Sequence, residues 1–66
     1  MRVKGETIKL IREAKGWSVA ELAEQAGVTR QAVESWEKGG VKKLETLAKI
    51  ADKLGISPNA LLENKT

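Results

Sequence analysis

The polar side chains most able to bind a ligand lie in the predicted helix 30–38. A helical rotation of about 100° per residue turns Val33 and Trp36 to one side of this segment. The opposite side carries a guanidinium, an amide, a carboxylate, a hydroxyl and an ammonium group, which donate and accept hydrogen bonds. These groups belong to Arg30, Gln31, Glu34, Ser35 and Lys38. On its own, such a pattern is more typical of a solvated helix face than of a binding site.

The residue types that most enzymes and metal sites use are missing. The chain has 66 residues and contains no Cys, no His and no Tyr. This excludes disulfides, zinc sites built from Cys and His, thiol redox chemistry and every His-based triad. No Ser–Lys pair or carboxylate pair lies in a recognisable pocket motif. We therefore expect a protein that is not an enzyme and that has no cofactor and no metal.

Length and charge limit the class of protein further. A chain of this length forms one domain at most, so residues 1–66 are predicted to be a single domain. The net charge is +3, and the basic excess lies in the first predicted helix and in residues 28–43, which allows an anionic partner. No apolar run is long enough to cross a membrane, and no signal-peptide core follows the N-terminus. We expect a cytoplasmic protein without membrane contact.

Local signals divide the chain into five predicted helices and no strand. Glycines that suit helix ends are followed by hydroxyl side chains that suit N-caps. The helix ends are Gly16, Gly27 and Gly39, and the N-caps are Ser18, Thr29 and Ser57. Ser18 and Glu21 also have the spacing of a capping box. The helices are expected at about 5–15, 19–26, 30–38, 44–54 and 58–63, which makes the fold class all-α.

Residues 19–38 have the pattern of a helix-turn-helix. Ala23 is small where two short helices cross closely, and Gly27 suits a tight turn that requires a positive φ. Apolar residues that would fill the inside of the angle between the helices are Leu22, Val28, Val33 and Trp36. A lone glycine between two helices would be weak evidence, but the whole set indicates this motif.

Matching residues continue along most of the chain. They are Ile8, Ile11-Arg12, Gly16-Trp17-Ser18, Glu21-Leu22-Ala23, Ala26 to Arg30, Val33, Trp36 to Gly39, Leu47, Ile50-Ala51, Leu54 to Ser57, and Leu61-Leu62. In this set the chain resembles the lambda-repressor and Cro type of helix-turn-helix domain, also called the xenobiotic-response-element family. The resemblance implies a compact five-helix fold, binding to double-stranded DNA as a homodimer on a palindromic operator, and control of transcription as a repressor.

The resemblance places the helix 30–38 in the major groove. Arg30 can then contact guanine O6 and N7 or a phosphate, and Gln31 can contact adenine N6 and N7. Ser35 is an adaptable partner, and Ala32 can touch a thymine methyl group. With the motif around them, Arg30 and Gln31 are predicted to contact bases rather than to be ordinary surface residues.

Two glutamates on this helix have structural interpretations. Glu34 can accept a hydrogen bond from cytosine N4, but its charge repels phosphates. We favour an i,i+4 ion pair with Arg30 or Lys38, worth about 0.2–0.5 kcal/mol. Glu37 lies near a helix C-terminus, where an anion needs a partner. In the related family an arginine of the first helix supplies it, and Arg12 matches that position.

Phosphate contacts are predicted from the loop that follows the helix 30–38. Lys38, Lys42 and Lys43 can bind phosphates without distinguishing sequence, and the backbone amides of Gly39 and Gly40 can assist. A hydrated loop is the alternative interpretation of these lysines. The resemblance favours the phosphate contacts because it places this loop beside the DNA backbone.

Further phosphate contacts are predicted at the start of the second helix. The family usually has a glutamine after the cap, where it binds a phosphate, but this chain has Val19 there. The backbone amides near Ser18 and Val19 can still face a phosphate at the positive helix end. The hydroxyl of Thr29 can also reach the DNA. Trp17 and Trp36 are interpreted as core residues rather than as stacking platforms for bases.

A dimer surface is predicted at the C-terminal helix, from Ile56, Pro58, Leu61 and Leu62, with one of the two leucines closing the core. No small-molecule effector is expected. The alternative function is a protein-interaction module on the same fold, such as an antitoxin. Exchanging Gln31 separates the two hypotheses, because it would abolish operator choice and leave protein binding intact.

Overall fold

Four α-helices and one short 3₁₀-helix form the computed structural model, which describes residues 2–63. The helices are α1 (Gly5–Ala14), α2 (Val19–Ala26), α3 (Arg30–Glu37) and α4 (Leu44–Leu54), and the 3₁₀-helix is Pro58–Leu61. The all-α prediction is confirmed, since the described residues contain only an isolated β-bridge besides these helices. In the same range, no helix has both the length and the apolar character needed to cross a membrane.

The predicted fifth helix, 58–63, is wrong in type and in length, because only a four-residue 3₁₀ turn is present. Leu62 leaves helical geometry with φ −96° and ψ 139°. It lies opposite Val3 in the antiparallel bridge, where the amide of Lys4 donates to the carbonyl of Leu61 at 2.6 Å. Pairing with the segment before α1 therefore competes with continuation of the helix.

Local caps fix the two helices of the helix-turn-helix. The Oγ of Ser18 accepts from the amide of Glu21 at 3.1 Å, and Oε1 of Glu21 accepts from the amide of Ser18 at 2.9 Å, which confirms the capping box. The Oγ1 of Thr29 accepts from the amide of Ala32 at 3.2 Å. Gly27 ends α2 with a φ of 69°, a value that costs glycine nothing.

One apolar core connects all the helices. The predicted interior of the helix-turn-helix is confirmed for Leu22, Ala23, Val33 and Trp36, which are buried, while Val28 is half-buried. Trp17 packs against this core without being enclosed by it. Among residues 2–63, the buried apolar residues are Val3, Ile8, Leu22, Ala23, Ala26, Val33, Trp36, Val41, Leu47, Ile50, Ala51, Leu54 and Leu61. The core therefore holds α3 from its inner side.

The C-terminal residues predicted to form a dimer surface do not all lie on the surface. Leu61 is 0% exposed, which confirms that one of the two leucines closes the core and removes Leu61 from the predicted dimer surface. Ile56, Pro58 and Leu62 are half-buried and keep part of their apolar surface accessible. Leu61 is fully enclosed because the bridge draws the end of the 3₁₀-helix against α1.

Helix α1 approaches the end of α3 so closely at Gly5 that a side chain does not fit. A Cβ atom on Gly5 would overlap the carbonyl group of Glu37 and lie 2.7 Å from the amide nitrogen of Gly39. Both neighbours are backbone atoms, which cannot rotate away.

We expect Gly5→Ala to destabilise the fold. An alanine usually stabilises a helix relative to glycine, by up to about 1 kcal/mol. Here the steric overlap is expected to lower the free energy of unfolding instead, by roughly 1–3 kcal/mol. Urea denaturation followed by circular dichroism measures this change, with Glu6→Ala as the exposed neighbouring control. A Gly5→Ala protein as stable as the parent would contradict the close approach of α1 and α3.

Candidate nucleic-acid interface

The outer side of α3 carries two parallel rows of polar side chains. A charged stripe consists of Arg30, Glu34 and Lys38, and a neutral stripe consists of Gln31 and Ser35. All five residues are exposed. On the opposite side Val33 and Trp36 are 0% and 6% exposed, so α3 cannot rotate without breaking the core. The sequence periodicity thus places the polar residues on one accessible surface.

Each stripe has a different neighbour. Lys9 of α1 lines a shallow depression together with Glu34, Glu37 and Lys38, so α1 borders the charged stripe. The loop after α3 borders the neutral stripe, because a Cβ atom on Gly40 would overlap the Oγ of Ser35 and lie 2.9 Å from the Ser35 carbonyl oxygen. The candidate surface therefore consists of α3, with α1 on one side and the loop after α3 on the other.

The predicted i,i+4 ion pair of Glu34 is wrong. Within residues 2–63 the ion pairs are Arg2–Glu63, Arg12–Glu13 and Arg12–Glu37. The Glu34 carboxylate consequently has no cationic partner in that range. An exposed pair of this kind has a net value of only about 0.2–0.5 kcal/mol, which is too little to hold two long side chains in one arrangement.

Arg12 and Glu37 form an ion pair that connects α1 to the end of α3. Nε of Arg12 donates to Oε2 of Glu37 at 2.6 Å, and Nη2 donates to Oε1 at 3.4 Å. The two side chains are only 8% and 12% exposed. The hydrogen bond to Glu37 is the main cause that raises the pKa of Arg12 above its ordinary value. Arg12 therefore remains charged at every working pH.

Arg12 has a third hydrogen bond that the sequence does not indicate. Its Nη1 donates to the carbonyl oxygen of Trp17 at 2.8 Å. Trp17 directly precedes the N-cap of α2, so one guanidinium holds α1, the start of α2 and the end of α3 together. No residue-type signal marks this contact, because the acceptor is a backbone carbonyl.

The start of α2 has two features relevant to an anionic ligand. The amide of Ser18 is occupied by Glu21, while the amides of Val19 and Ala20 have no acceptor in the part of the chain that the structure describes. In addition, Nζ of Lys15 lies 5.3 Å from the ring centroid of Trp17, a cation–π distance. Sequence spacing does not indicate this lysine; only the turn after α1 brings it close to the start of α2.

The loop after α3 has two backbone amides that are already occupied. The amides of Gly39 and Gly40 donate to the carbonyls of Trp36 and Ser35, at 2.9 and 2.8 Å. Both amides thus satisfy carbonyls at the end of α3. A phosphate would have to share these occupied donors, and the contact of the Gly39 and Gly40 amides with phosphate stays a prediction.

The remaining predicted contact residues have distinct environments. Lys42 and Lys43 are exposed and follow Val41, which is 4% exposed and anchors the loop in the core. Thr29 is exposed at the start of α3. Ala32 is half-buried and packs against the core, which leaves its methyl group at the edge of the polar surface.

Sequence comparisons identify relatives among transcriptional regulators. A helix-turn-helix family model matches residues 8–61. The SPbeta prophage-derived regulator YonR of Bacillus subtilis is 38% identical over 60 residues, which is 89% of this chain and 56% of YonR. The regulator SinR of Bacillus subtilis is 36% identical over 63 residues, covering 92% of this chain and 57% of SinR. The chain thus spans little more than half the length of these relatives.

Solved structures agree with the sequence comparisons. The crystal structure of SinR in complex with DNA has a TM-score of 0.79 and 36% identity, covering 89% of this chain and 97% of that chain. A complex of SinR with the SinI protein also has a TM-score of 0.79, with 35% identity over 92% of this chain and 61% of that chain. The restriction-modification controller protein C.AhdI from Aeromonas hydrophila has a TM-score of 0.77 and 34% identity, covering 88% of this chain and 89% of that chain. On the family match, the four helices and the turn between α2 and α3, the chain belongs to the lambda-repressor and Cro type of helix-turn-helix domains.

Proposed function

We propose that this domain binds double-stranded DNA sequence-specifically by placing α3 in the major groove. The observation that carries the proposal is the outer surface of α3, where five exposed polar side chains lie opposite a buried apolar side. A major groove is wide enough for such a helix. The DNA in the SinR crystal structure supports the same class of ligand. The domain would act in transcription as a repressor.

Base recognition is assigned to the first turn of α3 and to the neutral stripe. Arg30 would contact guanine O6 and N7, and Gln31 would contact adenine N6 and N7, each worth about 1–3 kcal/mol of discrimination. Ser35 would donate to or accept from a base beside Gln31. Ala32 would supply at most an edge contact to a thymine methyl group, because it is half-buried.

Phosphate contacts are assigned to the starts of α2 and α3 and to the segment after α3. The hydroxyl oxygens of Ser18 and Thr29 accept from backbone amides, which leaves their protons available to a phosphate. Cationic side chains after α3 would complete the set, together with the amide of Val19, which has no acceptor among residues 2–63. The proposed phosphate-binding residues are Ser18, Val19, Thr29, Lys38, Lys42 and Lys43.

We further propose a homodimer on a palindromic operator. One α3 covers only a few base pairs, and a two-fold dimer doubles the contact with a matching two-fold site. The apolar surface left by Ile56, Pro58 and Leu62 is the proposed dimer contact. This surface is small, so the DNA itself would contribute to dimer formation.

Selection from a randomised pool of double-stranded DNA tests the proposed function. The expected result is a palindrome whose half-sites are about 10 bp apart, which places two α3 helices on one face of the duplex. Recovery of no consensus, with binding that only decreases with salt, would contradict sequence-specific recognition and leave phosphate attraction alone.

The loop lysines are expected to control the salt dependence of binding. Each phosphate contact contributes about 0.9 to the slope of log K against log salt. Lys42→Gln combined with Lys43→Gln is therefore expected to reduce this slope by roughly 2 and to weaken binding to all DNA sequences equally. Lys49→Gln with Lys53→Gln on α4 is the charge-matched control. An equal reduction in both double variants would contradict a specific role for the loop.

A second candidate function is protein binding. It is supported by the complex of SinR with SinI, in which a similar protein binds another protein. A protein-binding module would keep its partner after Gln31→Ala. A DNA-binding domain would lose discrimination between its operator and random DNA. Measuring both affinities of the same variant separates the two functions.

A further inference from the structure

Glu34 is an unusual residue for a surface that binds a polyanion. It is exposed in the middle of the charged stripe, between Arg30 and Lys38. Neither neighbour forms an ion pair with it, and Lys9 lines the adjacent depression without pairing either. The carboxylate is thus available to a ligand in the groove, at a position where it also repels phosphates.

We propose that Glu34 requires a cytosine at one position of each half-site and disfavours all other DNA. This inference rests on the proposed function, since it concerns the same surface of α3. Arg30 and Gln31 would raise the affinity for the operator, and Glu34 would lower the affinity for other sequences. Specificity of this kind arises when a group interacts unfavourably with the competing ligands.

The chemistry of the base edges identifies cytosine. A carboxylate only accepts hydrogen bonds. In the major groove guanine presents the acceptors N7 and O6, and thymine presents the acceptor O4, so both repel it. Adenine presents the N6 donor beside the N7 acceptor, which opposes the second carboxylate oxygen. Cytosine presents the N4 donor and no acceptor on its own major-groove edge, since the adjacent O6 belongs to the paired guanine. It is therefore the base that Glu34 fits.

The unpaired charge also affects binding to DNA that lacks the operator sequence. On random DNA the carboxylate meets acceptors and phosphates with no compensating donor, so its contribution is unfavourable. On the operator, the bond to cytosine N4 offsets this cost. Glu34 therefore increases the ratio of specific to non-specific affinity even if it adds little to the specific affinity.

The test compares the parent protein with Glu34→Gln, Glu34→Ala and a control, Glu24→Gln. Glu24 is an exposed residue of α2, and its exchange changes the net charge by the same amount. Each protein is used to select DNA from a randomised pool. Affinities are then measured for the parent consensus, for the four bases at each half-site position and for random DNA, at one salt concentration. Circular dichroism melting verifies that each variant is folded.

The parent protein and Glu24→Gln are expected to select the same cytosine, preferring it over the other bases by roughly ten- to a hundred-fold. Glu34→Ala is expected to lose this preference, and Glu34→Gln to accept adenine as well, because an amide can pair with N6 and N7. Both Glu34 variants are expected to bind random DNA several-fold more tightly.

Three different results would overturn the inference. If the parent selects a palindrome and both Glu34 variants select the same one with unchanged preferences, the role of Glu34 is excluded while the proposed function stands. If the parent selects no consensus, the proposed function fails and the inference fails with it. A uniform gain in affinity without any change of consensus would reduce Glu34 to a general repulsive charge and also contradict the inference.

Discussion

Replacing Glu37 with alanine is expected to lower the free energy of unfolding by about 3–5 kcal/mol. The change removes the carboxylate that accepts two hydrogen bonds from Arg12 and leaves a guanidinium whose side chain is only 8% exposed. A domain of 66 residues has a total stability of roughly 3–10 kcal/mol. The variant is therefore expected to lose roughly a third or more of the stability of the domain. Urea denaturation monitored by circular dichroism measures the loss.

Two variants make this prediction specific to the buried pair. Glu13 lies 4.0 Å from Arg12 but is 52% exposed, so Glu13→Ala is expected to change stability by less than about 0.5 kcal/mol. Arg12→Met combined with Glu37→Leu removes both charges and is expected to recover much of the loss, because no charge remains buried without a partner. Equal free energies of unfolding for the Glu37→Ala and Glu13→Ala variants would contradict a stabilising ion pair between α1 and α3.

Replacing Arg30 and Gln31 together with alanine is expected to remove most of the sequence discrimination. Two base contacts worth about 1–3 kcal/mol each give a combined loss of roughly 2–6 kcal/mol in the preference for operator over random DNA. The proposed phosphate contacts remain, so affinity for random DNA is expected to fall only slightly. Both residues are exposed, and the fold is expected to keep its stability.

Competition binding between the selected operator and random DNA measures this ratio. Gln25→Ala combined with Lys53→Ala is the matched control, since it removes one amide and one positive charge from exposed positions outside α3. An unchanged ratio in the Arg30 and Gln31 double variant would show that other residues distinguish the bases.

The helix-turn-helix itself was predictable because its signals act over short distances. Ser18 and Glu21 cap α2 three residues apart, and Thr29 caps α3 through the amide of Ala32. Gly27 supplies the positive φ between the two caps. Each signal involves residues within one helical turn, so the sequence alone contains the information.

Contacts between distant segments were not predictable in this way. Leu62 is extended because it pairs with Val3, near the start of the chain. The sequence does not show that Gly5 must be a glycine, because the requirement comes from the close approach of α3. These features depend on the relative position of helices, which periodicity and capping do not determine.

The sequence predicts which residues of α3 are exposed at the candidate site, but not which of them form ion pairs. The burial of Val33 and Trp36 follows from periodicity, and it determines which residues of α3 are exposed. The state of Glu34 does not follow, because an exposed i,i+4 pair and a solvated carboxylate differ by only a few tenths of a kcal/mol. The approach of Lys9 to the charged stripe requires the packing of α1 on α3.

The central claim is that α3 contacts base edges in the major groove, and intermolecular nuclear Overhauser effects with a selected duplex test it most directly. Cytosine H5 and the thymine methyl group lie in the major groove, whereas the sugar protons report contacts to the backbone. The predicted result is a set of effects between the side chains of Arg30, Gln31 and Ser35 and these major-groove protons. Effects confined to Lys42 and Lys43 with sugar protons would contradict the claim.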